Sequence, residues 1–516
     1  MIQVKINSKE VSVPAGTSVL NAARALSINI PTMCHFEGLG NHPSCMVCVV
    51  KDARTRNLFP SCAMPVEAGM EVITDDDEVR NARRDALELL LSDHVGDCEA
   101  PCRIACPAFM DIPKMNRFIA SGNYHEALKV VKEEIALPYI LGHICSAPCE
   151  KVCRRKQVDN SISICLLKRF VAQNDLNFSP DKNSATGKKV AIIGAGPAGL
   201  SCAFYLLKLG HNCSIYDSNQ DIGGSLLSLS EDELPKLALN AEIDILKRYG
   251  ANFKLGITVT PEILRNEILH SFDAVVFASG ELTKSNLSSF GFQLSKSGLL
   301  VNETTLTIDN KIFACGSAIH PLKMAVKAVA QGKEAAFSVN KFLGGEPVLN
   351  RYDRFNSKFG LLQQPEISEY IEESENKNDI VKPKNGKLSG FTQEEAVLEA
   401  KRCMHCDCRK PESCKLRLYA DEYNVDRKRY SLGERKILRK SLQHDLVVYE
   451  PEKCIRCGLC IEITSKNKEL TGLTYIGRGF DVKVDIPFSR ELSQSLVKSA
   501  KECVDACPTG AIALKG

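Results

Sequence analysis

The chain has 516 residues, enough for several domains, and its 66 Lys+Arg against 63 Asp+Glu leave a formal charge of +3. That balance argues against nucleic acid or an anionic membrane surface as a partner. The opening MIQVKINSKEVSVPAG has no signal-peptide core, and no apolar run of about eighteen residues follows. The sequence therefore reads as a cytoplasmic protein without membrane insertion, whose 23 cysteines, clustered at short spacings, are metal ligands before they are disulfides.

Residues 1–75 alternate like a hairpin, pass through a helix near Ser18 to Leu26, and reach Cys34-x10-Cys45-x2-Cys48-x13-Cys62. Four thiolates, three from one loop and one from a returning strand, suit a 2Fe-2S cluster. Loops of that length suit zinc poorly. The stretches CHFEGLGNHPSCMVCVV and SCAMPVEAGMEVIT resemble the N-terminal ferredoxin domain of the large iron-sulfur subunit of respiratory complex I.

A helix is expected over 77–92, with Val79, Ala82, Ala86, Leu87, Leu90 and Leu91 at core spacing. Two triplets follow, Cys98/Cys102/Cys106 and Cys145/Cys149/Cys153, flanking a helical hairpin, and six thiolates need two more ligands for two cubanes. HVGDCEAPCRIACPAFMDIPKMN and GHICSAPCEKVCRRKQ resemble the glutamate synthase small subunit and the N-terminal half of dihydropyrimidine dehydrogenase. That resemblance implies interleaved 4Fe-4S clusters, with Cys98, Cys102 and Cys153 in one and Cys106, Cys145 and Cys149 in the other. The family's upstream Cys aligns near Val95, which makes His94 the candidate fourth ligand of the first; a surface or supporting His is the alternative. The family's Glu or Gln falls at Lys168, which cannot ligate. Cys165, one helical turn earlier, takes its place unless it is a buried structural Cys.

After the polar linker SPDKNSATGK comes KVAIIGAGPAGLSCAFYLLKLG: a buried strand, the turn Gly194-x-Gly196-x-x-Gly199, and the helix it opens. The first glycine permits the turn, the second lets backbone approach a pyrophosphate, the third lets helix pack on strand, and Asp217 ends the next strand where a ribose hydroxyl binds. Gly223 and Gly224 match the flavin family's second phosphate contact. IDNKIFACGSAIHPLK, containing Gly316, resembles its closing FAD motif with Ser317 where Asp is usual. Gly280 and Ser295 stand where the family inserts a nicotinamide domain, which needs roughly a hundred residues or more. An FAD here therefore has no hydride donor in its own chain.

Residues 346–395 read as a charged, turn-rich linker. Cys403-x2-Cys406-x-Cys408-x5-Cys414 is a compact four-thiolate site, for a cubane or a zinc. Cys454-x2-Cys457-x2-Cys460 with the remote Cys507-Pro is a 4Fe-4S signature and, with IGRG at Ile476 to Gly479, again resembles the complex I large subunit. Cys202, Cys213, Cys315 and Cys503 read as packing.

The expected fold is multidomain α+β and α/β: a β-grasp ferredoxin domain (1–75), a helical domain with two 4Fe-4S clusters (76–178), a Rossmann-like FAD domain (188–345), the linker, a four-Cys motif (396–425) and a C-terminal ferredoxin-like domain (426–516). The cofactors implied are FAD, one 2Fe-2S and three or four 4Fe-4S clusters. The resemblances imply an electron-transfer subunit that meets a separate NADH-oxidising FMN/iron-sulfur subunit and hydrogenase-like subunits. A nickel-iron hydrogenase is preferred over formate dehydrogenase because no molybdopterin domain follows the last cluster. The alternatives are a self-contained ferredoxin/NAD(P)H oxidoreductase or glutamate synthase-like enzyme, which the missing nicotinamide domain opposes, and a scaffold that has lost FAD.

Overall fold

The alternation of the first thirteen residues buries Val4, Ile6 and Val13 on one side, and Ile2–Ile6 pairs antiparallel with Lys9–Val13. In the computed structural model, which describes residues 1–179, 181–281, 288–345, 354–431, 433, 435–439 and 441–515, the chain falls into two units. The first comprises Met1–Ala100, Asp353–Tyr370 and Cys406–Gly516, and the second Pro101–Tyr352 and Ile371–His405. The mixed, multidomain class expected from the sequence is the one observed.

In the first unit a five-stranded sheet runs Lys9–Val13, Ile2–Ile6, Glu71–Ile73, Val49–Asp52, Leu58–Pro60. Ile2–Ile6 and Glu71–Ile73 are parallel, and the helix Val19–Ala25, capped by Ser18, buries Val19, Leu20, Ala22 and Ala23. The helix Asp77–Ser92 is capped by Asp76; Val79, Leu87 and Leu91 are buried, Ala82, Ala86 and Leu90 half-buried. Its buried Arg83 donates to the carbonyls of Val49 and Thr74 and to the Tyr423 hydroxyl. A further sheet of Leu442–Gln443, Val447–Tyr449 and Ile512–Leu514 carries the helices Leu459–Lys466 and Ala500–Ala506.

In the second unit the helices Ile112–Ala120, Tyr124–Glu134, Pro138–Ile144 and Ile164–Asn174 share one apolar core with a six-stranded sheet. Its order is Thr307–Asp309, Ile312–Ala314, Ala274–Phe277, Lys189–Ile193, Asn212–Asp217, Asn252–Leu255, parallel except for the first pair. Two buried ion pairs cross this core. Lys132 Nζ lies 2.5 Å from Glu242, whose other oxygen accepts from the Tyr139 amide, and Lys333 pairs with Glu134.

The stretch expected to be an open linker behaves differently. Its residues 346–353 lie outside the described residues, as does Pro180 in the earlier linker. Beyond them, Gln364–Glu373 is helical, and Ser374 and Asn376 are buried. The reason is two fully buried guanidinium groups that need acceptors. Arg155 donates to the carbonyls of Asn376, Lys377, Asn378 and Arg402, and Arg402 pairs with Glu399 and Asp159.

Candidate iron-sulfur and flavin sites

Cys34, Cys45, Cys48 and Cys62 are all buried. The Sγ atoms of Cys34 and Cys45 are 3.4 Å apart, and the thiols of Cys45 and Cys62 push Cys34 well below the usual thiol value. The Cys62 thiol hydrogen-bonds Cys48 in turn. The Ser44 and Val47 amides point at the sulfurs of Cys34 and Cys45, donors that stabilise sulfur charge.

Cys454, Cys457, Cys460 and Cys507 line one cavity together with Tyr449, Val484, Pro508 and Ile512. Gly458, at φ +80°, turns the chain into the helix Leu459–Lys466, and the Arg456 amide donates to Cys454 Sγ. The four thiols thus face one small, mostly apolar cavity. Cys503 is buried in the neighbouring apolar cluster with its sulfur turned to the Cys460 carbonyl.

Cys98 and Cys408, far apart in sequence, are adjacent in the first unit. The Cys408 amide donates to the Cys98 carbonyl at 3.2 Å, and the Ser357 amide to Cys98 Sγ at 3.4 Å. Cys414 feels the charges of Cys408 and Cys98 after the larger effect of burial, which pushes it up to about 12. The buried Lys453 acts on both Cys408 and His94. His94 has its Nδ1 enclosed without a hydrogen-bond partner; burial, then the cations of Lys453 and Arg427, push it down to about 3, which keeps it neutral, the ligating form. The sequence expectation grouped Cys98 with Cys102 and Cys153 and kept Cys403 through Cys414 together; within the first unit Cys98 has Cys408 and Cys414 as neighbours because that unit takes up the chain again at Cys406.

These first-unit sites adjoin. Cys34, Cys45, Cys414 and Cys457 belong to one apolar cluster. The Lys415 amide donates to the Pro508 carbonyl at 2.8 Å, linking the residue after Cys414 to the residue after Cys507. A Cβ on Gly510 would lie 2.4 Å from Cys408 Sγ.

In the second unit the thiol of Cys165 lies within hydrogen-bonding reach of those of Cys145 and Cys149. Cys106 joins them around Lys168, whose ammonium feels all four. Lys168 Nζ is 3.9 Å from Cys165 Sγ, and the Cys165 amide donates to Glu150. Cys102 and Cys153 are half-buried and Cys403 buried, all in the same unit; burial raises Cys153, and the Arg402 cation beside Cys403 opposes it. Cys406 is half-buried in the first unit. Among the described residues no three His, Cys, Asp or Glu side chains close on a single metal ion.

The nucleotide crevice has a volume of about 840 Å³, within the range of small-molecule sites. Gly194 has φ +114°, and a Cβ there would lie 2.2 Å from the Ala278 carbonyl. A Cβ on Gly199 would lie 2.0 Å from the Gly194 carbonyl, whereas Gly196 meets nothing closer than 3.9 Å, so its backbone is open to a phosphate. The Asp217 carboxylate accepts from the amides of Ala195 (2.7 Å) and Asn219 (2.8 Å) and from Asn219 Nδ2. It staples the turn and keeps one acceptor site for a ribose hydroxyl. Gly223 donates to the Ala195 carbonyl and Gly224 packs on Gly196. Gly316 donates to Gln331, Ser317 and Lys323 line the crevice, and Ile144 walls it on the side of the helix that ends at Cys145. Cys202, Cys213 and Cys315 are fully buried, and burial raises all three. Sequence reasoning missed the burial of Lys168 and Lys453; a lysine close in sequence to cluster cysteines was the available signal.

A family model for a 2Fe-2S iron-sulfur cluster binding domain matches residues 1–77. One for dihydropyrimidine dehydrogenase domain II, 4Fe-4S cluster, matches 79–179, and one for pyridine nucleotide-disulphide oxidoreductases matches 177–332. The NADPH-Fe(3+) oxidoreductase subunit beta of Geobacter sulfurreducens is 36% identical over 35% of this chain and 28% of that protein. The NADP(+)-dependent formate dehydrogenase subunit beta of Moorella thermoacetica is 34% identical over 37% of this chain and 31% of that protein. The chain thus spans less than a third of the length of these relatives. A crystal structure of an NAD+-reducing NiFe-hydrogenase covers 100% of this chain and 88% of its own at 11% identity and a TM-score of 0.36, too slight a likeness to inform fold or function. No described helix is long and apolar enough to cross a membrane. Residues 1–332 are thus an assembly of oxidoreductase domains: a 2Fe-2S domain, a 4Fe-4S domain of the dihydropyrimidine dehydrogenase type, and a flavoprotein domain of the pyridine nucleotide-disulphide oxidoreductase type.

Proposed function

We propose that this chain is the iron-sulfur flavoprotein electron-transfer subunit of an NAD-linked oxidoreductase complex. The observation that carries the reading is the junction of crevice and thiols: Ile144 walls the crevice, and the next residue, Cys145, belongs with Cys106, Cys149 and Cys165. Flavin exchanges electrons singly or in pairs and clusters singly, so a flavin beside a cluster converts one traffic into the other.

In this reading the Gly194–Gly199 turn and the N-terminus of the helix Pro197–Lys208 hold the FAD pyrophosphate, and Asp217 its ribose. Cys34, Cys45, Cys48 and Cys62 hold the 2Fe-2S cluster. Cubanes are held by Cys454, Cys457, Cys460 and Cys507, by Cys106, Cys145, Cys149 and Cys165, and by His94, Cys98, Cys408 and Cys414. Cys102, Cys153 and Cys403 supply thiols for one more. The partners are an NADH-oxidising flavin subunit and a terminal subunit, a nickel-iron hydrogenase by the likeness of the two ends to the complex I subunit. The formate dehydrogenase relative favours a second terminal chemistry.

Iron, sulfide and flavin counts on the anaerobically purified chain test the assignment. Three or four cubanes, one two-iron cluster and one FAD per chain are expected; a flavin-free chain, or iron for fewer than three cubanes, contradicts it.

A further inference from the structure

Five lysines are buried in the described structure: Lys51, Lys132, Lys168, Lys333 and Lys453. Four of them meet a carboxylate. Lys51 pairs with Asp76, Lys132 with Glu242, Lys333 with Glu134 and Lys453 with Glu450. Lys168 is 3% exposed, and among the described residues no carboxylate lies within ion-pair distance of it; its one polar contact is Cys165 Sγ at 3.9 Å. A buried ammonium without an ion-paired carboxylate is costly, so the negative charge that pairs with it lies elsewhere.

The groups around it are thiols. Cys165, one turn earlier on the same helix, Cys145, Cys149 and Cys106 are the thiols whose charges bear on Lys168, and Glu150, the carboxylate that feels the Lys168 charge, accepts from the Cys165 amide and forms no ion pair with Lys168. Four neutral thiols offer an ammonium nothing. Four thiolates around an iron-sulfur cluster carry net negative charge, which grows by one with each electron accepted.

We propose that the Lys168 ammonium is the counter-charge of the cluster held by Cys106, Cys145, Cys149 and Cys165, and that it raises the reduction potential of that cluster. The inference rests on the assignment of a cubane to these four cysteines. The step is one electron entering the cluster from the reduced flavin of the adjoining crevice, with no bond made or broken and no proton taken up. A fixed cation close to the sulfur stabilises the more negative, reduced form. Because Ile144 and Cys145 join crevice to cluster, Lys168 makes this cluster the favoured acceptor of flavin electrons. Lys168 is a positioning residue for charge; it ligates nothing.

The test is an EPR-monitored redox titration of the full chain and of its K168M, K168Q and K168R variants. The signal is identified as the one that C165A removes. The expected result is that K168M and K168Q lower the potential by at least a tenfold change in the reduction equilibrium, about 59 mV for one electron, with K168R restoring most of it. Loss of the cluster in K168M and K168Q with retention in K168R also supports a charge requirement. A C165-dependent signal with the same potential in K168M overturns the inference while leaving the cluster assignment intact, as does loss of the cluster in all three variants, which marks a role in shape. The absence of any signal that C165A removes overturns the cluster assignment and the inference together.

Discussion

The two units treat their buried charge differently. In the first, Lys453 reaches both His94 and Cys408 but is tied to Glu450 at 2.6 Å, and the thiol sets share apolar packing and backbone bonds. In the second, Lys168 has a thiol and, among the described residues, no ion-paired carboxylate beside it, and the thiol set abuts a nucleotide crevice. In the proposed function the first unit is a conduit of adjoining sites, and the second is the exchange point, where the Lys168 cation is proposed to favour the arrival of an electron.

The largest expected effect separates conduit from exchange. Cys457→Ala should remove one cubane and abolish electron transfer through the first unit, while flavin content and the Cys165-dependent signal stay as they were. Cys503→Ala, in the same domain, should leave iron unchanged. Iron counts and turnover in the assembled complex check both; a C457A chain with full iron breaks the distinction.

Next in size is the loss of a paired charge. Lys132→Met leaves Glu242 buried without its partner and should cost the second unit about 3–5 kcal/mol, read as a lower urea midpoint. Gly194→Ala follows, since its methyl would press on the Ala278 carbonyl at a positive φ. A cost of about 1–3 kcal/mol together with flavin loss is expected, with the first-unit clusters intact.

The smallest effect concerns pH. Burial, then the Arg169 cation, depresses His143 to about 4, so between pH 6.5 and 4 the unfolded chain binds a proton that the folded one does not. Stability from this residue is present above pH 6.5 and lost as pH falls toward 4. His143→Gln should flatten the melting temperature over that window by about 2 °C; an unchanged slope contradicts it.

Much of this was legible in sequence because local spacing carries it. The Gly194–Gly199 turn, Asp217, and the Cys34–Cys62 and Cys454–Cys507 sets are short motifs whose geometry follows from the turn or loop that holds them. That Cys165 stands one helical turn before Lys168 was legible through helical periodicity, and the structure places it beside Cys145 and Cys149. What was not legible depends on long-range return of the chain. The neighbourhood of Cys98 and Cys408 exists only because the first unit resumes at Cys406, and adjacency in sequence groups both cysteines elsewhere. The linker misread has a similar cause, since its polar residues cover Arg155 and Arg402, whose burial no local pattern announces.

The central claim, that the flavin of this chain trades electrons with clusters and a partner and not directly with a nicotinamide, is tested most directly by anaerobic titration of the isolated chain with NADH and then NADPH, following flavin and cluster absorbance. The account predicts that neither bleaches the protein and that dithionite does. Rapid, stoichiometric bleaching by either nucleotide would contradict it and make the chain a self-contained reductase.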